Sequence, residues 1–183
     1  MKTKMLAACS LVAMVVMFSS CSIGTQKTVD DVNANSTLEI DLLTSVDEVD
    51  FSDFGVVPGF GITGYYDKKY GEENTETGEM PPYYVLYSVT SYPDFMSRGQ
   101  YVTQIDVCDP EIEIYGYSIG DSSAEFGEFL VDKGFKLNRD EARYKRFEKG
   151  KVVIRFGVEP ETQTIARSIT VEVDVTNHCG IVF

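Results

Sequence analysis

The 183-residue chain has no tryptophan, one histidine and four cysteines, and it is short of positive charge. A single histidine, His178, leaves no histidine-rich metal site. Asn177-His178-Cys179 lacks the second spaced His/Cys pair that a zinc site requires. Asp31-x-Asn33-x-Asn35 briefly imitates a calcium loop. Ser36 stands where the loop needs glycine and Leu42 where it needs a bidentate glutamate, so that reading fails. No metal and no cofactor are expected. Lys and Arg number 16 against 29 Asp and Glu, a formal net charge of −13. That balance argues against nucleic acid and against electrostatic docking on anionic lipid. At 43% apolar and 25% charged, the rest of the composition is that of an ordinary globular chain with a real core. The length suits one domain in two halves.

The first residues are not expected to join that core. Met1–Lys4 is a short basic stretch, and residues 5–18, "MLAACSLVAMVVMF", form an apolar run too short for a comfortable spanning helix. Together they read as a signal peptide covering residues 1–20. Phe18-Ser19-Ser20-Cys21 resembles a bacterial lipobox, in which the cysteine is lipidated and becomes the mature N-terminus. Phe18 departs from the usual leucine of that motif. Cys21 is the expected lipidation site, and the membrane is an expected partner through that lipid. The chain would then sit on a cell membrane or outer membrane, facing away from the cytoplasm. Losing Cys9 with the signal peptide and Cys21 to the lipid leaves Cys108 and Cys179. An exported location permits a disulfide between them, although spacing does not show that they meet.

Residues 21–37 carry the lipidated cysteine and then a polar run without periodicity, read as a flexible tether. Two α+β units are expected beyond it, at residues 38–113 and 114–183. In the first, Ser45-x-x-Glu48 is a candidate capping box for a short helix. "GVVPGFGITGYYDKKYG" supplies turns and a short strand, and residues 72–79, "EENTETGE", an acidic loop. Strands are expected at Tyr83–Tyr92 and Tyr101–Val107. In the second unit, Ser122-x-x-Glu125 caps a helix whose face is Phe126, Phe129 and Leu130, and Gly134 ends it. Strands come next at Ala142–Glu148, Lys151–Val158 and Ile165–Val175.

The units echo each other. Tyr87-Ser88-Val89 parallels Phe156-Gly157-Val158, and Tyr101-x-x-x-Ile105-x-Val107 parallels Ile165-x-x-x-Ile169-x-Val171. The expected class is α+β, with two tandem helix-plus-antiparallel-strand repeats forming a curved antiparallel sheet. A helix announced by "GYSIGDSSAEF", then a hairpin and a strand, resembles the repeat of β-lactamase-inhibitor-protein-like proteins, a unit shared by outer-membrane assembly lipoproteins of the SmpA/OmlA type. The resemblance would cover about residues 40–175. It implies a non-catalytic protein that binds another protein of the envelope through a sheet face and loops.

Two motifs point elsewhere. Gly116-Tyr117-Ser118-Ile119-Gly120 spells the G-x-S-x-G of a hydrolase elbow, with His178 downstream as a base. The cap at Ser122 starts the helix too late for Ser118 to stand at its mouth, and the chain beyond it is too short for repeated β-α-β crossovers. No catalytic residue is assigned. Gly59–Gly64, "GFGITG", spells a phosphate-loop pattern, but "YYDKKYG" after it is not helical. Tyrosine is concentrated between residues 65 and 101, and Tyr83, Tyr84, Tyr87, Tyr92 and Tyr101 are the candidate binding surface. A glycan or small ligand on that surface is the alternative to a protein. The basic run 139–151 interleaves six bases with three acids and reads as a solvated hairpin.

Overall fold

The computed structural model describes residues 24–58, 63–71, 80–91 and 100–174. Cys21, Tyr92, His178 and Cys179 lie outside them. A helix over residues 24–34, α1, comes first. Four strands succeed it: β1 (Phe54–Pro58), β2 (Thr63–Asp67), β3 (Val85–Ser91) and β4 (Gln100–Val107). The second helix, α2 (Ser123–Asp132), precedes β5 (Lys136–Glu141), β6 (Tyr144–Lys149), β7 (Val152–Glu159) and β8 (Thr164–Val173). All eight strands form one antiparallel sheet in the order β1-β2-β3-β4-β8-β7-β6-β5. The class is α+β, as expected.

The sheet is two meanders joined by their last strands, each preceded by a helix. Residues of the sequence echoes pair with one another within each meander. Val85 faces Val107 and Tyr87 faces Ile105 in the first meander; Ile154 faces Val171 and Phe156 faces Ile169 in the second. Both ladders then slip, between Ser88 and Val89 and between Phe156 and Gly157.

Residues 24–34 are not a tether. Thr25, Thr28, Val29 and Val32 recur at i, i+3, i+4 and i+7, and all four are buried. With two threonines in it, the stripe does not look apolar in the sequence. Thr28 bonds its hydroxyl back to the Gly24 carbonyl at 2.9 Å. Asn33 anchors the far end, its side chain both donating to and accepting from the Leu42 backbone at 3.1 Å. The helix expected at Ser45 is only a 3-10 turn, Val46–Glu48, and the Ser45 side chain makes no capping bond. Clustered aspartates favour turns over a regular helix there.

α2 forms as read. Ser122 accepts from the Glu125 N–H at 3.3 Å, and Gly134 takes a left-handed φ of 88°. Its N–H bonds the Val131 carbonyl while Phe135 N–H bonds that of Leu130. Phe126 stacks between Tyr117 and Phe156, with centroids at 4.8 and 5.1 Å, so α2 covers the Phe147–Phe156 side of the sheet. Val29 and Val32 of α1 join the same core. The β1–β2 hairpin stands where one short strand was expected, and β5 is a further strand, so each unit is a four-stranded meander where three strands were expected. β5 carries six exposed residues and no apolar alternation, and is held by its ladder to β6.

Candidate functional site

The helices pack on the face presented by Val85, Tyr87, Ile105, Ile169, Ile154 and Phe147. Among the described residues, neither helix covers the opposite face. The pairing registers lay out one row across all eight strands there: Arg139, Arg146, Arg155, Thr170, Asp106, Leu86, Tyr66 and Gly55. A second row runs Lys136, Glu148, Val153, Glu172, Gln104, Ser88, Gly64 and Val57. Adjacent strands are about 4.8 Å apart, so the three arginines stand side by side. Each is offset by a carboxylate on the same face. Arg139 Nε lies 3.3 Å from Glu141, Arg146 Nε 2.8 Å from Glu148, and one Arg155 terminal nitrogen 3.6 Å from Glu172. Partial burial lowers the pKa of the Arg146 guanidinium, but Glu148, with Tyr144 and Glu172 adding to it, holds it above its ordinary range on balance.

The face therefore changes character from edge to edge. At the β1–β2 edge it is nearly flat. A β-carbon on Gly55 would fall 2.3 Å from the Tyr66 ring, so glycine lets that ring lie down on β1. At the centre it is polar and neutral in part, with Ser88 and Thr170 buried in its floor. On the β5–β7 side it carries the arginines.

The slip in the β7–β8 ladder opens a cleft of about 360 Å³ on this charged side. Its lining includes Arg143, Tyr144, Arg155, Gly157, Glu159 and Arg167. Arg143 comes from the β5–β6 turn and Arg167 from the bulge itself, where it adopts a φ of 66°. Gly157 permits the close pairing: a β-carbon there would meet the Ala166 carbonyl oxygen at 2.6 Å.

The four candidate tyrosines among the described residues do not make one surface. Tyr87 is 2% exposed and faces the core, where burial pushes its phenol well above its ordinary range. Its rung opposite Ile105 fixes that direction, because alternate residues of a strand face opposite sides. Tyr83 is 55% exposed, just before β3. Tyr84 is half-buried and donates its hydroxyl to the Cys108 sulfur. Tyr101 is half-buried on β4, bridged to Ser45. Cys108 comes directly after β4, and burial raises its thiol pKa. Its pairing with Cys179 falls outside the described residues.

Ser118 sits in the turn before α2. Its backbone N–H donates to the Asp121 carboxylate at 2.7 Å, and its hydroxyl donates to the same oxygen at 3.3 Å. Gly116 and Gly120 take φ values of 79° and 101°, as a helix-entry turn requires. Among the described residues, no three His, Cys, Asp or Glu side chains are grouped to hold a metal ion, and no helix is long and apolar enough to cross a membrane.

No known family model, curated protein or solved structure matches the chain. Sequence reading missed the arginine face because its members are far apart in the chain. The one local signal was Gly157, a glycine inside an alternating strand, which is a mark of bulges.

Proposed function

We propose that this protein is a lipid-anchored, non-catalytic protein-binding module of the bacterial cell envelope. The observation that carries the reading is the sheet face left uncovered by both helices, whose rows are polar and charged from β5 to β4 apart from Val153. Flat sheet faces with mixed charges suit recognition of another protein better than enclosure of a small molecule. The fold fits a pair of β-lactamase-inhibitor-protein-like repeats, each a helix and a four-stranded meander. Support for a duplication comes from the rungs: Tyr87 pairs with Ile105 as Phe156 pairs with Ile169, and each ladder slips within two residues of that pair.

The anchor is Cys21, reached through the lipobox-like Phe18-Ser19-Ser20-Cys21. Because residue 24 already belongs to α1, only two residues, Ser22 and Ile23, separate the lipidated cysteine from the domain, a reach of at most about 10 Å. The module is thus carried close to the bilayer, with little freedom to search.

Mass spectrometry of the mature N-terminus tests the anchor: a diacylated Cys21 is expected, and a mature chain starting elsewhere rejects it. A photo-crosslinking residue at Gln104, on the open face, tests the binding surface against the same residue at Glu128 on the exposed side of α2. Adducts in the intact envelope are expected from position 104 and not from 128. Equal yields from both would reject the open face.

A further inference from the structure

We propose that the cleft at the β7–β8 slip is a carboxylate-binding subsite that takes an aspartate or glutamate side chain of the protein partner. The inference rests on the protein-binding reading and names the chemistry of one contact within it. Three arginines, Arg143, Arg155 and Arg167, are among the residues that line the cleft. They arrive from the β5–β6 turn, β7 and β8, so their convergence is a product of register and not of a basic stretch of sequence. Arg155 is already shared with Glu172 at 3.6 Å. The side chains of Arg143 and Arg167 are exposed and make no ion pair among the described residues. Two forked donors therefore point to an acceptor from outside, and planar guanidinium matches planar carboxylate in a bidentate pair.

Charge selects the class of anion. Glu159 shares the lining and Glu172 holds Arg155, which leaves one surplus positive charge among the three arginines. A single carboxylate balances it. A phosphodiester chain would bring repeated negative charge against Glu159, Glu148 and Glu172 along the same face. Tyr144 and Ser168, both in the lining, carry hydroxyls that can serve the second oxygen of the acid or the incoming backbone. The cleft is at the small end of ligand pockets and opens on to a broad face, which suits one side chain of a larger body. The backbone at its floor is fixed by Gly157, where no side chain fits.

The test is a titration of the full chain in detergent micelles with a short blocked Gly/Ser peptide carrying one glutamate, monitored by amide NMR. The glutamate peptide is expected to shift the Gly157, Ala166 and Ser168 amides. Its glutamine counterpart is expected to leave them unmoved. Arg143→Gln with Arg167→Gln should weaken binding about tenfold or more, with the unfolding midpoint unchanged because both side chains are exposed. Arg143→Lys with Arg167→Lys keeps the charge and removes the fork, and should bind with intermediate affinity. It also serves where the neutral variant fails to fold. Equal shifts with the glutamine peptide would overturn the proposal, as would an undiminished affinity in the neutral variant. Free glutarate moving these amides while the peptide does not would also overturn it, by making the cleft a small-acid site. The titration needs no natural partner, so its outcome is separable from that of the crosslinking test.

Discussion

Asp106 and Thr170 face each other across the joint between the two meanders, and the Thr170 hydroxyl donates to the Asp106 carboxylate at 2.6 Å. The other carboxylate oxygen accepts from the Gln104 amide at 2.7 Å. The β4–β8 pairing that links the halves is thus buttressed by a charge-assisted side-chain bond on its open side. Thr170→Val keeps the shape and removes the donor, and should cost about 1–2 kcal/mol in urea unfolding. Thr170→Ser should recover most of the loss. A neutral Thr170→Val result would show that solvent replaces the hydroxyl at no cost.

The turn entering α2 behaves differently at Gly116, Ser118 and Gly120. Built β-carbons on either glycine meet nothing within 4 Å, so any penalty there is backbone strain alone. Both sit at φ values that L side chains avoid, 79° and 101°. Gly120→Val should therefore destabilise by roughly 2 kcal/mol or more, and Gly116→Val by a similar amount. Ser118→Ala should fall within about 0.5 kcal/mol of the parent, because the bond from its backbone N–H to Asp121 survives. Thermal unfolding of the three variants checks the order; a Ser118→Ala loss as large as that of Gly120→Val would contradict it.

The most consequential correction concerns Val29 and Val32, both 0% exposed on a helix read from sequence as tether. Their replacement by aspartate buries a charge without a partner and should unfold the domain or cost several kcal/mol. Val32→Ala should cost about 1–3 kcal/mol. Hydrogen exchange should protect amides in residues 28–34 as strongly as those of α2. Rapid exchange throughout that segment would restore the tether.

Legibility depended on how local each signal is. α2 was readable because its cap at Ser122, its Phe126–Leu130 face and its stop at Gly134 all lie within one short stretch. The strands containing Ile105, Ile154 and Ile169 were readable because one of their faces is apolar. α1 was hidden because half of its buried stripe is threonine. β5 was hidden because Lys136–Glu141 buries nothing and depends wholly on pairing. The tyrosine surface failed at Tyr87, where strand parity and not residue type decides which side is wet. The arginine cleft was illegible because Arg143, Arg155 and Arg167 meet only once the register of three strands is set.

Burial shifts the phenols of Tyr70, Tyr84, Tyr87 and Tyr115 upward, helped by Asp109, Cys108, Glu39 and Asp31 respectively, and raises the Cys108 thiol. In each case the folded state prefers the neutral form. The unfolded chain titrates near 10.0 for tyrosine and 9.0 for the thiol. Stability from these groups is therefore complete below about pH 9 and is lost as pH rises toward the elevated folded values. The urea midpoint should be flat from about pH 7 to 9 and fall steeply by about pH 11. Tyr87→Phe removes the most deeply buried of these hydroxyls, the one aligned with Phe156 in the other meander. It should make the alkaline fall shallower while leaving the neutral-pH fold intact. An alkaline limb as steep as the parent's would mean that Tyr87 ionises only after unfolding driven by the other groups.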